Sequence, residues 1–442
     1  MKKNDYINAV LEQVRCRSAH EPLKQELEAH IDDQAEAFIS VGLPESEAEE
    51  ESVKTMGDAV ETGVMLDREH RPRFPLSAAV IALLLMLTGL TARLLIRDSF
   101  GFFNEKSLYT VLSIPVALVV MTACYFMDYT IFTKHPKIAY ICFFCILAAT
   151  AYLRYFYRVF DRVIPFYNYS TSGRFFFFEA LLLAPFTCGF VWSMRGKGFG
   201  GFVLTCILMV VPAAFCALLT PCISAVILIG LSALAIMTFA VKNNFFNVKK
   251  AGAYLFMYIP AGLSFISLLI LKFGLPQYIM TRINPNIRFG FTADYDGFLA
   301  LQTIVNHSRL FGESSDPFYL LPAPQSDHLI TAVTIRFGWA AGIILSLILI
   351  SLPVIVLVKT RMIKNVFGRM TSFSVGIVFL FETVSYILAN FGITTIIESV
   401  IAPPFMTASL SNVVSSAALL GIFMSAYRTK DIFPERKIEK AL

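Results

Sequence analysis

The sequence predicts an all-α polytopic membrane protein with about ten transmembrane helices behind a small helical domain. Three observations carry that expectation. Apolar stretches of roughly twenty residues, the length that crosses a hydrocarbon core, recur from Phe74 to Arg428. Hydrophobic residues make up 56% of the 442-residue chain, Phe occurs 41 times and the mean hydropathy is +0.65, which is more apolar surface than a soluble core uses. The segment before Phe74, by contrast, is rich in Glu and places its apolar residues at helical spacing, with no run long enough to span.

That first segment, 1–73, reads as a cytoplasmic bundle of short amphipathic helices. Tyr6, Val10, Leu11 and Val14 share one face, and Leu23, Leu27, Ile31 and Phe38 another. Gly42 followed by Leu43-Pro44 marks a stop and restart, and Gly57-Asp58 a second. Some seventy residues support only a modest core, and no catalytic grouping stands among them. The order of elements and the stretch VKTMGDAVETG resemble the prefix domain found ahead of bacterial permeases and other membrane proteins, which implies a cytoplasmic adaptor and says nothing about chemistry.

Membrane spans are expected near 76–97, 107–127, 136–153, 175–194, 201–219, 221–241, 251–272, 328–358, 370–390 and 401–426. The 328–358 run is overlong, which predicts tilt or a projecting end. Lys134, Lys137, Arg195, Lys197, Lys242, Lys249, Lys250, Lys359, Arg361, Lys364 and Arg369 fall in alternate connections and a basic tail follows at 429–442. The positive-inside rule then puts both termini in the cytoplasm. No signal peptide is expected, since the first apolar run starts near Leu76. A net charge of +5 fits that rule and contact with anionic lipid, and gives no case for a nucleic-acid partner. Cys142 and Cys145 are three apart, but no further His or Cys completes a metal set, so they read as small apolar residues of a span.

Two connections on the outer side hold the functional candidates. In 154–174, Arg154, Arg158, Arg162 and Arg174 stand among Tyr155, Tyr157, Tyr167 and Tyr169. Such guanidinium groups can bind phosphates bidentately or snorkel to lipid headgroups. The long loop 273–327 contains a short amphipathic helix marked by Phe298, Leu299, Leu301, Ile304 and Val305, suited to lie in the membrane interface. At its end, in LPAPQSDHLITAVTIRFG, Asp327 stands where loop meets span. It can cap the next helix or act as a general base on a substrate at the membrane surface. Within the spans, Glu382 is expected to be paired or functional, with Arg336 as its candidate partner. His135, His307 and His328 show no ligand spacing, and His328 reads as a residue of the water boundary.

Four stretches in order resemble the SEDS family (shape, elongation, division and sporulation), the group of FtsW, RodA and SpoVE. They are VVMTACYFMDYTIF with Asp128 and Tyr129; Arg282 and Pro285 followed by DGFLALQTIVNHSRLFG; LPAPQSDHLITAVTIRFGWAAG; and NFGITTIIESVIAPPFMTASLSN. The resemblance covers 74–428, and it implies a bacterial plasma-membrane glycosyltransferase that polymerises lipid II, with a single-span transpeptidase partner. By it, Asp327 falls on the catalytic carboxylate that takes the proton of the acceptor's 4-hydroxyl. Arg282, Gln302 and Glu179 fall in matching stretches and are substrate-binding candidates. Arg174 of the outer Arg cluster and Arg336, near where the family has a Glu, are further candidates that could supply positive charge. The leaving diphosphate would call for positive charge or a divalent cation nearby. The chain departs from the family at Leu182, where a Lys is expected, at Pro221–Ala225, where an Asp is missing, and at Thr407–Leu410, where Ser-Tyr-Gly-Gly is expected. A non-catalytic SEDS-like scaffold of a cell-wall or sporulation complex is therefore a second reading. A transporter is a third, suggested by the company the prefix domain keeps, although no internal repeat is visible.

Overall fold

The computed structural model describes residues 1–97, 106–160, 169–219, 223–273, 305–313, 328–391, 402–407 and 409–430. The protein is all-α, with no strand among the described residues. Helices α1 (Lys3–Gln13), α2 (Arg17–Ser40), α3 (Glu45–Thr55) and α4 (Ala59–His70) surround a small core of their own. Tyr6, Ile7, Val10, Leu11, Leu23, Leu27, Ile31 and Val53 fill it. The turns fall at the two glycine signals, where Gly42 and Gly57 take φ of +104° and +84°, a region open mainly to glycine. Asp58 caps α4 by accepting the Val60 amide at 3.0 Å.

A second, larger core runs from Ala78 to Tyr427. It is built by α5 (Leu76–Arg97), α6 (Lys106–Phe126), the single turn α7 (Ile131–Lys134), α8 (Pro136–Phe160), α9 (Tyr169–Ser193), α10 (Gly198–Leu219), α11 (Ile223–Lys242) and α12 (Lys250–Phe273). The chain continues through α13 (Leu329–Phe337), α14 (Trp339–Thr360), α15 (Val366–Asn390) and α16 (Leu410–Arg428). Among the described residues, six of these helices are long and apolar enough to cross a membrane. Apolar stretches Ser113–Phe126, Pro136–Thr150 and Ala180–Ser193 add shorter ones.

Burial sorts the helices into inner and outer. In α16 and α15, 78% and 61% of the span is buried, against 33% in α5 and α10. The two inner helices are also the least apolar, with mean hydropathy 1.4 and 1.7 against 2.9 for α14. Lipid selects apolar side chains, whereas a helix enclosed by others can carry Ser, Thr and Asn that bond within the protein. Gly421 of α16 sits where a Cβ would come within 2.7 Å of Met121 O on α6, so α6 and α16 approach at backbone distance.

One end of the bundle gathers the basic connections. Arg195 lies over the Trp192 ring, the Gly196 amide bonds Phe245 O at 2.7 Å, and Tyr129 stacks on Phe367. Arg73 N donates to Arg428 O at 3.3 Å, which brings the start of α5 to the same end as the finish of α16.

Three expectations need correction. The overlong 328–358 run is two helices, not one tilted span, because Gly338 breaks it at φ +94°. Segment 309–312 folds over the break, with Trp339 N donating to Arg309 O at 2.9 Å and Ala340 N to Leu310 O at 3.1 Å. The described residues of the 154–174 connection are helical, with α8 running on to Phe160 and α9 starting at Tyr169. The last span does not start at 401. Residues 402–407 form a turn around Pro403-Pro404, with Phe405 at φ +62°, and the helix begins at Leu410. The short helix expected around Phe298–Val305 lies outside the described residues except at its end, where 305–307 are helical.

Gly338→Ala should destabilise the protein by about 1–3 kcal/mol, because a Cβ there would lie 2.7 Å from Phe311 Cα at positive φ. Thermal unfolding in detergent checks this, and Gly252→Ala, with open space around its Cβ position, is the control.

Candidate functional site

The end of the bundle away from the basic connections holds a layer of buried polar groups. Its frame is α15, where Glu382, Tyr386 and Asn390 recur every four residues and so share one face. This ridge runs about 12 Å along the helix, and each member meets a different neighbour.

Asn390, at the end of α15, anchors α13. It accepts the Thr331 amide on Oδ1 at 3.2 Å, and its carbonyl accepts the Thr331 hydroxyl at 2.6 Å. One turn below, the Tyr386 hydroxyl accepts the Leu329 amide at 3.1 Å. These bonds fix the direction of α13, whose amino end lies at the depth of the Tyr386 ring while Gly338 sits at the rim. The helix is entirely buried from Leu329 to Ile335. Thr334 rests against Gly342 of α14 with no space for a side chain at the glycine. Thus α13 and α14 form a hairpin, with α13 a half-helix that starts inside the bundle. His328 stands at its N-cap, is 8% exposed and makes no capping bond. Among the described residues its Nδ1 has no hydrogen-bond partner.

Arg93 of α5 adds a buried cation to the layer. It is 7% exposed, and its Nε donates to Gly89 O at 2.8 Å. Tyr386 is close enough to act on it electrostatically. Gly89 lets α5 meet the 402–407 turn, since a Cβ there would lie 2.9 Å from Met406 Cα and 3.1 Å from Arg93 Nη2.

At the deep end, Glu382 is fully buried. Asn412 Nδ2 of α16 donates to its Oε1 at 3.3 Å and approaches Ala402 O at 3.5 Å. Glu382 Oε2 and Asn412 Oδ1 are left without partners. Arg336 is therefore not the partner of Glu382. It sits near the rim end of α13 and pairs with Glu313 of the segment that covers the break. The helix break turned it away from the bundle axis.

Asp327, Arg282 and Gln302 lie outside the described residues. Arg174 and Glu179 lie on α9, with side chains outside the described set. Of the substrate-binding candidates, Arg336 is the one whose contacts are described, and they are those of a surface ion pair. His328 is a buried residue rather than one at the water boundary. Sequence reasoning missed Arg93, Tyr386, Asn390 and Asn412. The four-residue spacing of Glu382, Tyr386 and Asn390 on an apolar helix was a readable signal for a polar ridge. Arg93 gave none, because with Arg97 four residues on it resembles the charged end of any span. Among the described residues no group of three or more His, Cys, Asp or Glu could hold a metal ion.

No family model matches the sequence, and no curated protein matches it. Comparison with solved structures finds the fold. A chain of a complex described as coordinating polymerisation and crosslinking, a peptidoglycan synthase, superposes with TM-score 0.57 at 10% identity. The match covers 81% of this chain and 98% of that one. At that identity the shared property is the architecture of the membrane bundle.

The contact between Glu382 and Asn412 predicts a specific pattern of stability. Asn412→Leu should cost about 1–3 kcal/mol, because it leaves a buried carboxyl group without a partner. Replacing both residues by Leu should recover most of that loss. Thermal unfolding of the two single variants and the double variant supplies the cycle, and additive losses would contradict the pairing.

Proposed function

We propose that the protein is a SEDS-type glycosyltransferase of the bacterial plasma membrane that extends glycan from a polyprenyl-diphosphate donor such as lipid II. In this reading the basic end of the bundle faces the cytoplasm, and the polar layer opens toward the outer leaflet. Asp327 is the general base. It removes the proton from the acceptor sugar's 4-hydroxyl as that oxygen attacks the donor's anomeric carbon, and the polyprenyl diphosphate departs with the bonding electrons. Arg282, Gln302, Arg174 and Glu179 would contact the substrates, and a single-span transpeptidase would crosslink the product.

One observation carries the proposal. The residue that follows Asp327 is the buried N-cap of a half-helix whose amino end sits inside the membrane bundle. Withdrawal from water raises the basicity of a carboxylate, and this reading assigns the role of base to Asp327. The fold shared with a chain of a peptidoglycan synthase complex supports the same reading.

A non-catalytic role in a cell-wall complex is the second reading, and specific residues favour it. Leu182 is a half-buried apolar residue packed against the core where the family places a Lys. Leu410 is an exposed helix start where the family has Gly.

Lipid II polymerisation by the purified full-length protein, alone and with a single-span transpeptidase, separates the readings. The enzyme reading expects glycan strands from wild type and a rate lower by about 10²-fold or more in Asp327→Asn. Equal rates in both would remove Asp327 from the mechanism. A folded wild type that yields no strands with either composition would leave the scaffold.

A further inference from the structure

Among the described residues Arg93 is a buried cation without a counter-ion. Its guanidinium has five N–H donors, yet Nε donates to a carbonyl and, among the described residues, Nη1 has no hydrogen-bond partner. Among the described residues it forms no ion pair, and the ionisable group acting on it is the Tyr386 phenol rather than a carboxylate. Glu382, the buried carboxyl of the same layer, is engaged by Asn412 instead. A guanidinium in this setting is costly to hold unless an anion joins it.

The amino end of α13 faces the same Tyr386. Its first amide donates to that hydroxyl at 3.1 Å, its N-cap residue provides no capping bond, and α13 packs against α5. A helix amino end carries partial positive charge, here with the Leu329 and Thr331 amides already donating to Tyr386 and Asn390. Two separate sources of positive potential therefore converge on one phenol inside the bundle. His328, the N-cap of the same helix, is buried, and among the described residues its Nδ1 has no partner.

We propose that Arg93, the amino end of α13 and Tyr386 form a buried phosphoryl-binding site. Guanidinium binds phosphate oxygens bidentately, the helix end neutralises the remaining charge, and the lipid tail stays in the bilayer. The ligand is a lipid-borne phosphate, either the diphosphate of a polyprenyl carrier or the headgroup of an anionic phospholipid. The site deepens the glycosyltransferase reading, on which the first of these sources rests. It places positive charge beside the departing diphosphate at a position different from the one left apolar at Leu182.

The test uses full-length protein in phosphatidylcholine nanodiscs and reads bound lipid by native mass spectrometry. Undecaprenyl diphosphate, phosphatidylglycerol and uncharged undecaprenol are the three probes. Wild type should bind undecaprenyl diphosphate or phosphatidylglycerol at least tenfold more tightly than undecaprenol, and Arg93→Gln should lose about that factor. A loss confined to undecaprenyl diphosphate assigns the site to the carrier, and an equal loss for phosphatidylglycerol assigns it to phospholipid headgroups. Unchanged binding of both phosphorylated probes by folded Arg93→Gln overturns the site. Equal affinity of wild type for undecaprenol and both phosphorylated probes overturns it as well, without recourse to a variant. Polymerisation is a separate readout. Arg93-dependent binding by an inactive protein keeps the site and removes the enzyme, whereas strands made by a protein whose binding ignores Arg93 do the reverse.

Discussion

The fold around the candidate site depends on satisfying the backbone of a helix that begins inside a membrane bundle. A full span bonds its own amides, but a half-helix brings its first N–H groups into a region without bulk water, where each unmet group is costly. Tyr386 and Asn390 meet that demand, taking the Leu329 and Thr331 amides from one face of α15. Without those two acceptors α13 would have no reason to stay at that depth. The same acceptors explain why α15 is enclosed and rich in polar residues although its length and mean hydropathy suit a membrane span.

From this anchor the other elements follow. Gly338 reverses the chain so that α14 can run back beside α13, and Gly342 removes the side chain that would hold the two helices apart. The 402–407 turn places Met406 against Gly89 of α5, one turn from Arg93, on which Tyr386 acts electrostatically. Asn412 then closes the deep end of the ridge on Glu382. Each contact joins residues from different helices, so the polar layer is a tertiary product rather than a property of any one span.

That origin explains what was legible in the sequence. Hydrophobic runs of spanning length were sufficient for the helices, because lipid imposes length and composition locally. The turn glycines Gly42 and Gly57 were readable for the same reason. The break at Gly338 was hidden because residues on both sides are apolar, and glycine within an apolar run also serves close packing. Arg336 and Glu382 looked like partners as the charges of two adjacent spans, but the break sends Arg336 toward Glu313. Arg93 was invisible as a site residue, since its role follows from what α13 and the 402–407 turn bring to it.

The central claim is that α13 is a half-helix held against the end of α15, and a crosslink tests it most directly. In a background freed of native cysteines, Thr331→Cys and Asn390→Cys should form a disulfide in native membranes under mild oxidation. Their side chains are in direct contact, with Thr331 Oγ1 3.1 Å from Asn390 Oδ1. The account predicts near-complete crosslinking and protection of the Thr331→Cys thiol from a water-soluble maleimide. An absent crosslink with rapid labelling at position 331 would place this segment in water and contradict the architecture described.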